Sequence, residues 1–134
     1  MDAVELQKRL KEFAYRIIPL CEALPGKKIS KIIEDQLLRS AFSAAANYRA
    51  ACKAQSIKAF KSKLSIAFEE IDESLFWQEV IADLELVGKQ KLTLLLREAD
   101  ELSRILASSR KTIEKKIGKL NKYSILNFKY KIIS

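Results

Sequence analysis

Two sets of polar side chains stand on otherwise apolar helical stretches, and they are the residues whose chemistry most needs an explanation. The first set forms a polar line in an alanine-rich stretch: Arg39, Ser40, Ser43 and Asn47. The second set is a carboxylate pair, Glu70 and Glu73. If the two stretches are antiparallel neighbours, Arg39 is able to make bidentate bonds to Glu70 or Glu73. We therefore expect a buried polar network of these six residues that fixes helix register, with Arg39 mostly buried.

Paired carboxylates are also able to act as general acid and base, so an enzyme is the competing interpretation. The chain has no histidine, which removes the commonest general base and metal ligand. Di-metal bundles need histidine three residues after glutamate, where this chain has Glu73 after Glu70. No glycine-rich phosphate loop occurs, and two cysteines do not make a zinc site. We expect no enzymatic activity, catalytic residue, metal or cofactor, and catalysis by the two glutamates stays the least favoured alternative.

Charge is spread unevenly along the chain, whose net charge is +8. Residues 27–63 hold nine basic and two acidic residues, 64–88 hold seven acidic and no basic ones, and 111–134 hold seven basic and one acidic. Such asymmetry is typical of a basic surface that faces a polyanion, although a merely solvated surface fits the charges equally well. The candidate nucleic-acid contacts are Lys27, Lys28, Lys31, Arg49, Lys53, Lys58, Lys61 and Lys63. We expect the first three to lie at the opposite end of the fold from the others.

Helical periodicity accounts for most of the chain and predicts the elements that position these residues. Apolar positions at alternating spacings of three and four indicate helices over about 2–23, 30–53 with a start at 30 or slightly earlier, 56–87 and 89–116. Ser30 and Ser56 are the expected N-caps, Pro19 is expected to kink or end helix 1, and Gly88 and Gly118 are the expected stops. Short connections predict an all-α, antiparallel up-down-up-down four-helix bundle over 1–118. Residues 119–134 are expected to form a basic, flexible tail.

Nothing in the sequence indicates a membrane or an oxidising compartment. No stretch approaches the roughly 18 apolar residues of a membrane span, and the first 16 residues lack the apolar core of a signal peptide. Cys21 and Cys52 are expected to be reduced and buried. We therefore expect a cytoplasmic protein.

Helix 3 offers more apolar surface than one bundle core uses. Phe76 and its neighbour Trp77 stand beside an acidic line formed by Glu69, Asp72, Glu79 and Asp83. A solvated helix face does not need such aromatics, so Phe76 and Trp77 are the predicted oligomer interface. We expect the acidic face of one subunit to meet the basic face of the next and to close a ring.

Several runs also resemble a known family. The run Gln36–Asn47 (QLLRSAFSAAAN) is similar to the second-helix signature of a bacterial four-helix-bundle family encoded within intervening sequences of large-subunit ribosomal RNA genes. Tyr48–Cys52 resembles one branch of that family. Further matches lie in helices 3 and 4, at Ile66, Ala67, Glu70, Glu73, Phe76, Trp77, Glu98, Glu101, Leu102 and 109–112.

The resemblance implies a four-helix bundle and a ring-shaped homo-oligomer, a pentamer. Relatives of the family include the accessory variability determinant of diversity-generating retroelements, a basic pentameric barrel that binds a reverse transcriptase and nucleic acid. The leading expectation is a non-enzymatic oligomer that binds nucleic acid, such as structured RNA, through basic surfaces. The alternative is a ring-shaped scaffold that recruits a protein partner such as a reverse transcriptase.

Overall fold

The chain folds into four helices: α1 (Ala3–Glu22), α2 (Lys28–Cys52), α3 (Ile57–Asp83) and α4 (Lys89–Ile133). The computed structural model describes the backbone of residues 1–133 and the side chains of residues 1–119. Each helix packs on its neighbour in the chain, and α1 closes the bundle against α4. Lys61 of α3 meets Glu114 of α4, and Phe68 further along α3 meets the earlier Arg110. These two helices are therefore antiparallel, and the predicted antiparallel four-helix bundle is confirmed.

The core includes the apolar lines that the spacing of three and four predicted in α1 and α4, and α2 and α3 contribute buried residues to it as well. The buried residues of α1 include Leu6, Leu10, Phe13, Ile17 and Leu20, and those of α4 are Leu92, Leu95, Ala99, Leu102 and Leu106. In α2 the buried line runs through Ile33, Leu37, Ala41, Ala44, Tyr48 and Ala51. Alanine at the centre of this line lets the neighbouring helices approach closely, because each contributes only a methyl group to the interface.

One of the two predicted N-caps is confirmed, and the other is wrong. Ser56 caps α3 as predicted, since its Oγ accepts a hydrogen bond from the Ala59 amide at 3.0 Å. Ser30 does not cap α2, because the helix begins at Lys28 and the extended cap residue is Lys27. Ser30 lies inside the helix, only 3% exposed. After the turn at Pro25 and Gly26, the chain becomes helical before Ser30, the residue that the preference of serine for N-cap positions had predicted as the cap.

The end of α3 comes before the predicted stop at Gly88. The helix ends at Asp83, and Glu85 takes the left-handed conformation with φ 52°. The amide of Leu86 donates to the carbonyl of Ile81 at 3.1 Å, and the amide of Glu85 donates to that of Ala82 at 3.1 Å. This pair of bonds is a Schellman motif that satisfies the last carbonyls without glycine. The prediction of a stop at Gly88 was therefore wrong.

Two predicted interruptions do not end their helices. Pro19 lies within α1, which continues to Glu22. Gly118 lies within α4, which continues to Ile133. A lone glycine costs a helix only about 1 kcal/mol relative to alanine, and the flanking lysines are good helix formers. The predicted helix end at Gly118 was wrong; a separate flexible tail over 119–134 stays a prediction, because the side chains beyond residue 119 lie outside the described part.

The cysteines and the hydropathy of the helices bear on the expected compartment. Among the described residues, no helix combines the length and the apolar character needed to cross a membrane. Both cysteines are free; Cys21 is buried, whereas Cys52 is only half-buried, so its predicted burial is partial. They lie near the ends of α1 and α2, at opposite ends of the bundle. Burial raises the pKa of the Cys21 thiol to about 12, which keeps it protonated and unreactive.

Candidate nucleic-acid interface

Arg39 joins α2 to α3 through the carboxylate pair. Its Nη1 donates to Oε2 of Glu70 at 2.6 Å, and its Nη2 donates to Oε2 of Glu73. The indole Nε1 of Trp77 also donates to Oε2 of Glu73, at 3.3 Å. The hydrogen bond to Glu73 raises the pKa of Arg39 above its usual value. Arg39 thus contacts both carboxylates as expected, but its side chain is 46% exposed, so its predicted burial was wrong.

The rest of the predicted network divides into separate parts. Ser40 is buried and its Oγ lies 2.8 Å from the Oγ of Ser74, a residue that the sequence did not single out. Asn47 donates to the carbonyl and the hydroxyl of Ser43 one turn earlier, within α2. The six residues therefore do not form one buried network, because Ser43 and Asn47 bond each other while Arg39 lies at the surface.

Arg39→Ala is expected to lower the free energy of unfolding by about 1–2 kcal/mol. The loss is moderate because half of Arg39 is solvated, whereas Glu70 is only 16% exposed and would lose its partner. Urea denaturation measures the change. Arg49→Ala, an exposed arginine on the same helix without a carboxylate partner among the described side chains, is the matched control. A loss no larger than that of the control would contradict a stabilising role for this contact.

A second ion-pair cluster, which the sequence reading missed, joins α1 to α4. Arg9 donates to both carboxylate oxygens of Glu98, at 2.8 and 2.7 Å, and lies 2.9 Å from Glu101. The Arg9 side chain is 22% exposed and that of Glu98 is 18% exposed. The hydrogen bond to Glu98 raises the pKa of Arg9. This pairing depends on which face of α1 meets α4, and the sequence does not specify that face. The spacing of three residues between Glu98 and Glu101, which places both on one face of α4, was the sequence signal for such a cluster.

A basic groove runs along the boundary between α1 and α2. Its volume is about 610 Å³. The lining residues, which define the basic groove from here on, are Gln7, Lys8, Lys11, Tyr15, Phe42, Ala45, Ala46, Arg49 and Lys53. The groove therefore combines four cations with two aromatic rings on a floor of small residues.

Because α1 and α2 are antiparallel, the basic groove has a cationic end and an aromatic end. The chain rises along α1 through Lys8, Lys11 and Tyr15, and it descends along α2 through Phe42 and Arg49 to the C-cap residue Lys53. Cations from both helices therefore occupy one end of the groove. The aromatic rings occupy the other end, with centroids 6.1 Å apart and an angle of 58° between the planes.

The cations of the groove are largely free to bind an external anion. Lys8 lies 3.9 Å from Glu12, in an exposed pair one helical turn apart. Lys11, Arg49 and Lys53 have no carboxylate within 4.0 Å among the side chains of residues 1–119. All three are exposed. Phosphate binding would therefore not require the loss of an internal salt bridge at these positions.

The structure separates the eight basic residues that the sequence grouped together. Arg49 and Lys53 line the groove, whereas Lys58 and Lys63 are exposed on α3 and Lys61 lies 3.7 Å from Glu114. Lys27, Lys28 and Lys31 lie at the start of α2, at the end of the bundle away from Lys53, as expected.

Of the six charged or aromatic groove residues, four were absent from the residues that the sequence predicted: Lys8, Lys11, Tyr15 and Phe42. Lys8, Lys11 and Tyr15 follow helical spacing on the exposed side of α1, and this line was the available signal. Phe42 is an aromatic among alanines and serines. Its position opposite Tyr15 depends on the register between α1 and α2, which the sequence does not specify.

The predicted oligomer residues lie on the outer part of α3. Phe76 is 52% exposed and its ring packs edge-on against Trp77, with centroids 5.1 Å apart. Trp77 is half-buried and packs partly against the core. Glu69, Asp72, Glu79 and Asp83 are all exposed, and none of them has a basic nitrogen within 4.0 Å among the described side chains. Phe76 therefore stands in an acidic surface without internal partners.

The architecture defines the class of small antiparallel four-helix bundles. The model of one such family, the 23S rRNA-intervening sequence proteins, matches residues 3–108. The chain belongs to this family, which confirms the resemblance seen in the sequence. No curated protein matches the chain.

A solved structure supports the same fold. A protein of unknown function from the S23 ribosomal protein family of Bacteroides thetaiotaomicron is 31% identical to this chain. Its crystal structure superposes with a TM-score of 0.72, over 79% of this chain and 98% of that one. The match therefore covers nearly the whole of the neighbour.

Proposed function

We propose that this chain is a non-enzymatic, cytoplasmic protein that binds nucleic acid through the basic groove. The observation that carries the proposal is the set of four cations along α1 and α2, three of which have no carboxylate within 4.0 Å among the side chains of residues 1–119. Lysine and arginine neutralise backbone phosphates and release counterions, which is the main source of affinity for nucleic acid without sequence reading. The family's association with ribosomal RNA genes makes RNA the natural first substrate to test.

The enzyme interpretation draws little support from the carboxylate pair. Glu70 and Glu73 are both engaged by Arg39, and Glu73 also accepts from Trp77. Neither carboxylate could contact a substrate without giving up hydrogen bonds that join α2 to α3 or hold Trp77. We therefore assign the cluster a structural role between α2 and α3.

The proposal predicts RNA binding that weakens steeply with salt. Fluorescence anisotropy with a labelled RNA should give a micromolar dissociation constant at low salt and little sequence preference, because phosphate contacts carry no sequence information. Absence of binding at low salt, or tight binding that salt does not affect, would contradict the proposal.

We also propose that the chain assembles with copies of itself through the acidic surface around Phe76. Glu79 and Asp83 lie toward the same end of the bundle as Lys27, Lys28 and Lys31, because α3 runs antiparallel to α2. If these surfaces join neighbouring subunits side by side, each subunit is not shifted along the bundle axis relative to the next. Such a contact closes into a ring, whereas a shift would produce an open helical filament. A count of five comes from the family resemblance alone. The ring would leave the basic groove free, since its cations lie toward the other end.

A protein-recruiting scaffold is the second candidate function. The observation that favours it is the exposed Phe76 beside four carboxylates that have no basic partner among the described side chains, because aromatic residues are enriched at protein interfaces. In that case the chain would act as a ring-shaped scaffold that recruits a protein partner such as a reverse transcriptase at this surface.

A further inference from the structure

We propose that the aromatic end of the basic groove stacks unpaired nucleobases, so that the groove takes single-stranded nucleic acid in preference to duplex. The inference rests on the proposed function and adds the class of substrate. Tyr15 is 51% exposed and Phe42 is 39% exposed, so solvent reaches both side chains. Both rings lie in the same groove as the four cations.

The residues around the rings leave room for a planar ligand. Ala45 and Ala46 line the groove between Phe42 and Arg49, and their methyl side chains do not fill it. The two rings are tilted by 58° to each other, so they do not cover each other as a parallel stack would. Large side chains in place of the alanines would close this space.

The order of groups along the groove fits an extended strand. Arg49 and Lys53 are one helical turn apart, which corresponds to a rise of about 6 Å along α2. Phe42 lies seven residues before Arg49, about 10 Å along the helix axis. A strand whose phosphates contact the cations would therefore bring one of its next bases to the rings.

Duplex nucleic acid does not offer the same contact. Each base inside a duplex is stacked on both faces by its neighbours, and exposing one requires unstacking. Bases of a single strand are free to stack on aromatic side chains, which contributes on the order of tenfold in affinity per base and tolerates any sequence. The cations are thus expected to bind both forms, and the rings to favour the single strand.

The test compares fluorescein-labelled oligouridine and oligothymidine 15-mers with a 15-base-pair RNA duplex by anisotropy at one fixed low salt concentration. The protein is the full chain, with the double variant Tyr15→Leu/Phe42→Leu. Leucine keeps an apolar side chain at two exposed positions, and circular dichroism checks the fold. Leu94→Ala is the control, since Leu94 is an exposed apolar side chain outside the groove and outside the proposed interface.

We expect the wild type to bind both single strands more tightly than the duplex. The double variant should lose about tenfold in affinity for the single strands and less than twofold for the duplex, while the control changes neither. Equal wild-type affinity for duplex and single strand, or an unchanged double variant, would overturn the inference but leave phosphate binding standing. Failure of every probe to bind would overturn both.

Discussion

Charge reversal at Lys11, Arg49 and Lys53 is expected to lower the affinity for RNA on the order of 100-fold at low salt. Each substitution to glutamate removes a phosphate contact and places a negative charge against the backbone of the nucleic acid. The three residues are exposed and have no carboxylate within 4.0 Å among the described side chains, so the fold should tolerate the change. Fluorescence anisotropy measures the loss, and circular dichroism verifies helix content.

The matched control reverses three exposed cations elsewhere: Lys89, Lys91 and Arg97. Its net charge changes by the same amount, so a general electrostatic effect would appear in both triples. A third variant reverses the charges of Lys58, Lys61 and Lys63. The sequence predicted these residues as nucleic-acid contacts, but they do not line the groove. We expect smaller losses in both. An equal loss in all three variants would contradict the groove as the principal contact.

Phe76→Asp is expected to convert an oligomer into a species of 15.3 kDa, the mass of one chain. The substitution places a fifth carboxylate in the acidic line and removes the exposed ring that would be buried at the interface. Light scattering at micromolar protein and moderate salt measures the mass. The wild type should give a whole multiple of the chain mass under the same conditions.

Leu94→Asp serves as the control for this prediction, because Leu94 is 61% exposed on a different helix. It should leave the mass of the wild type unchanged. A wild-type mass near that of one chain would refute self-association and leave the acidic surface to another protein. Dissociation by Leu94→Asp instead of Phe76→Asp would move the interface to α4.

The fold was predictable because the apolar spacing of α1 and α4 is regular. Nearly every position in those lines is buried as expected, from Leu6 to Leu20 and from Leu92 to Leu106. Helix ends were less predictable, because local preferences compete with the path of the chain. Glu85 takes the left-handed turn that favours glycine, while Gly118 is helical.

The candidate site was predictable only where it depends on one helix or on one strong pairing. Arg39 meets Glu70 and Glu73 because complementary charges on α2 and α3 leave few other partners. The prediction that Arg39 is buried was wrong, because its long side chain reaches the carboxylates along the surface of the bundle. Tyr15 and Phe42 come together only through the register of two helices, which single-helix patterns do not determine.

The salt dependence of RNA binding tests the central claim most directly when it is measured for the wild type and the groove triple side by side. Four phosphate contacts by Lys8, Lys11, Arg49 and Lys53 predict that the logarithm of the binding constant falls with the logarithm of salt at a slope of about −3 for a single strand. Reversal of three of them leaves one contact and should make the slope shallower, between about −1 and zero. An identical slope for the two proteins would contradict the account, because the phosphates would then be bound elsewhere.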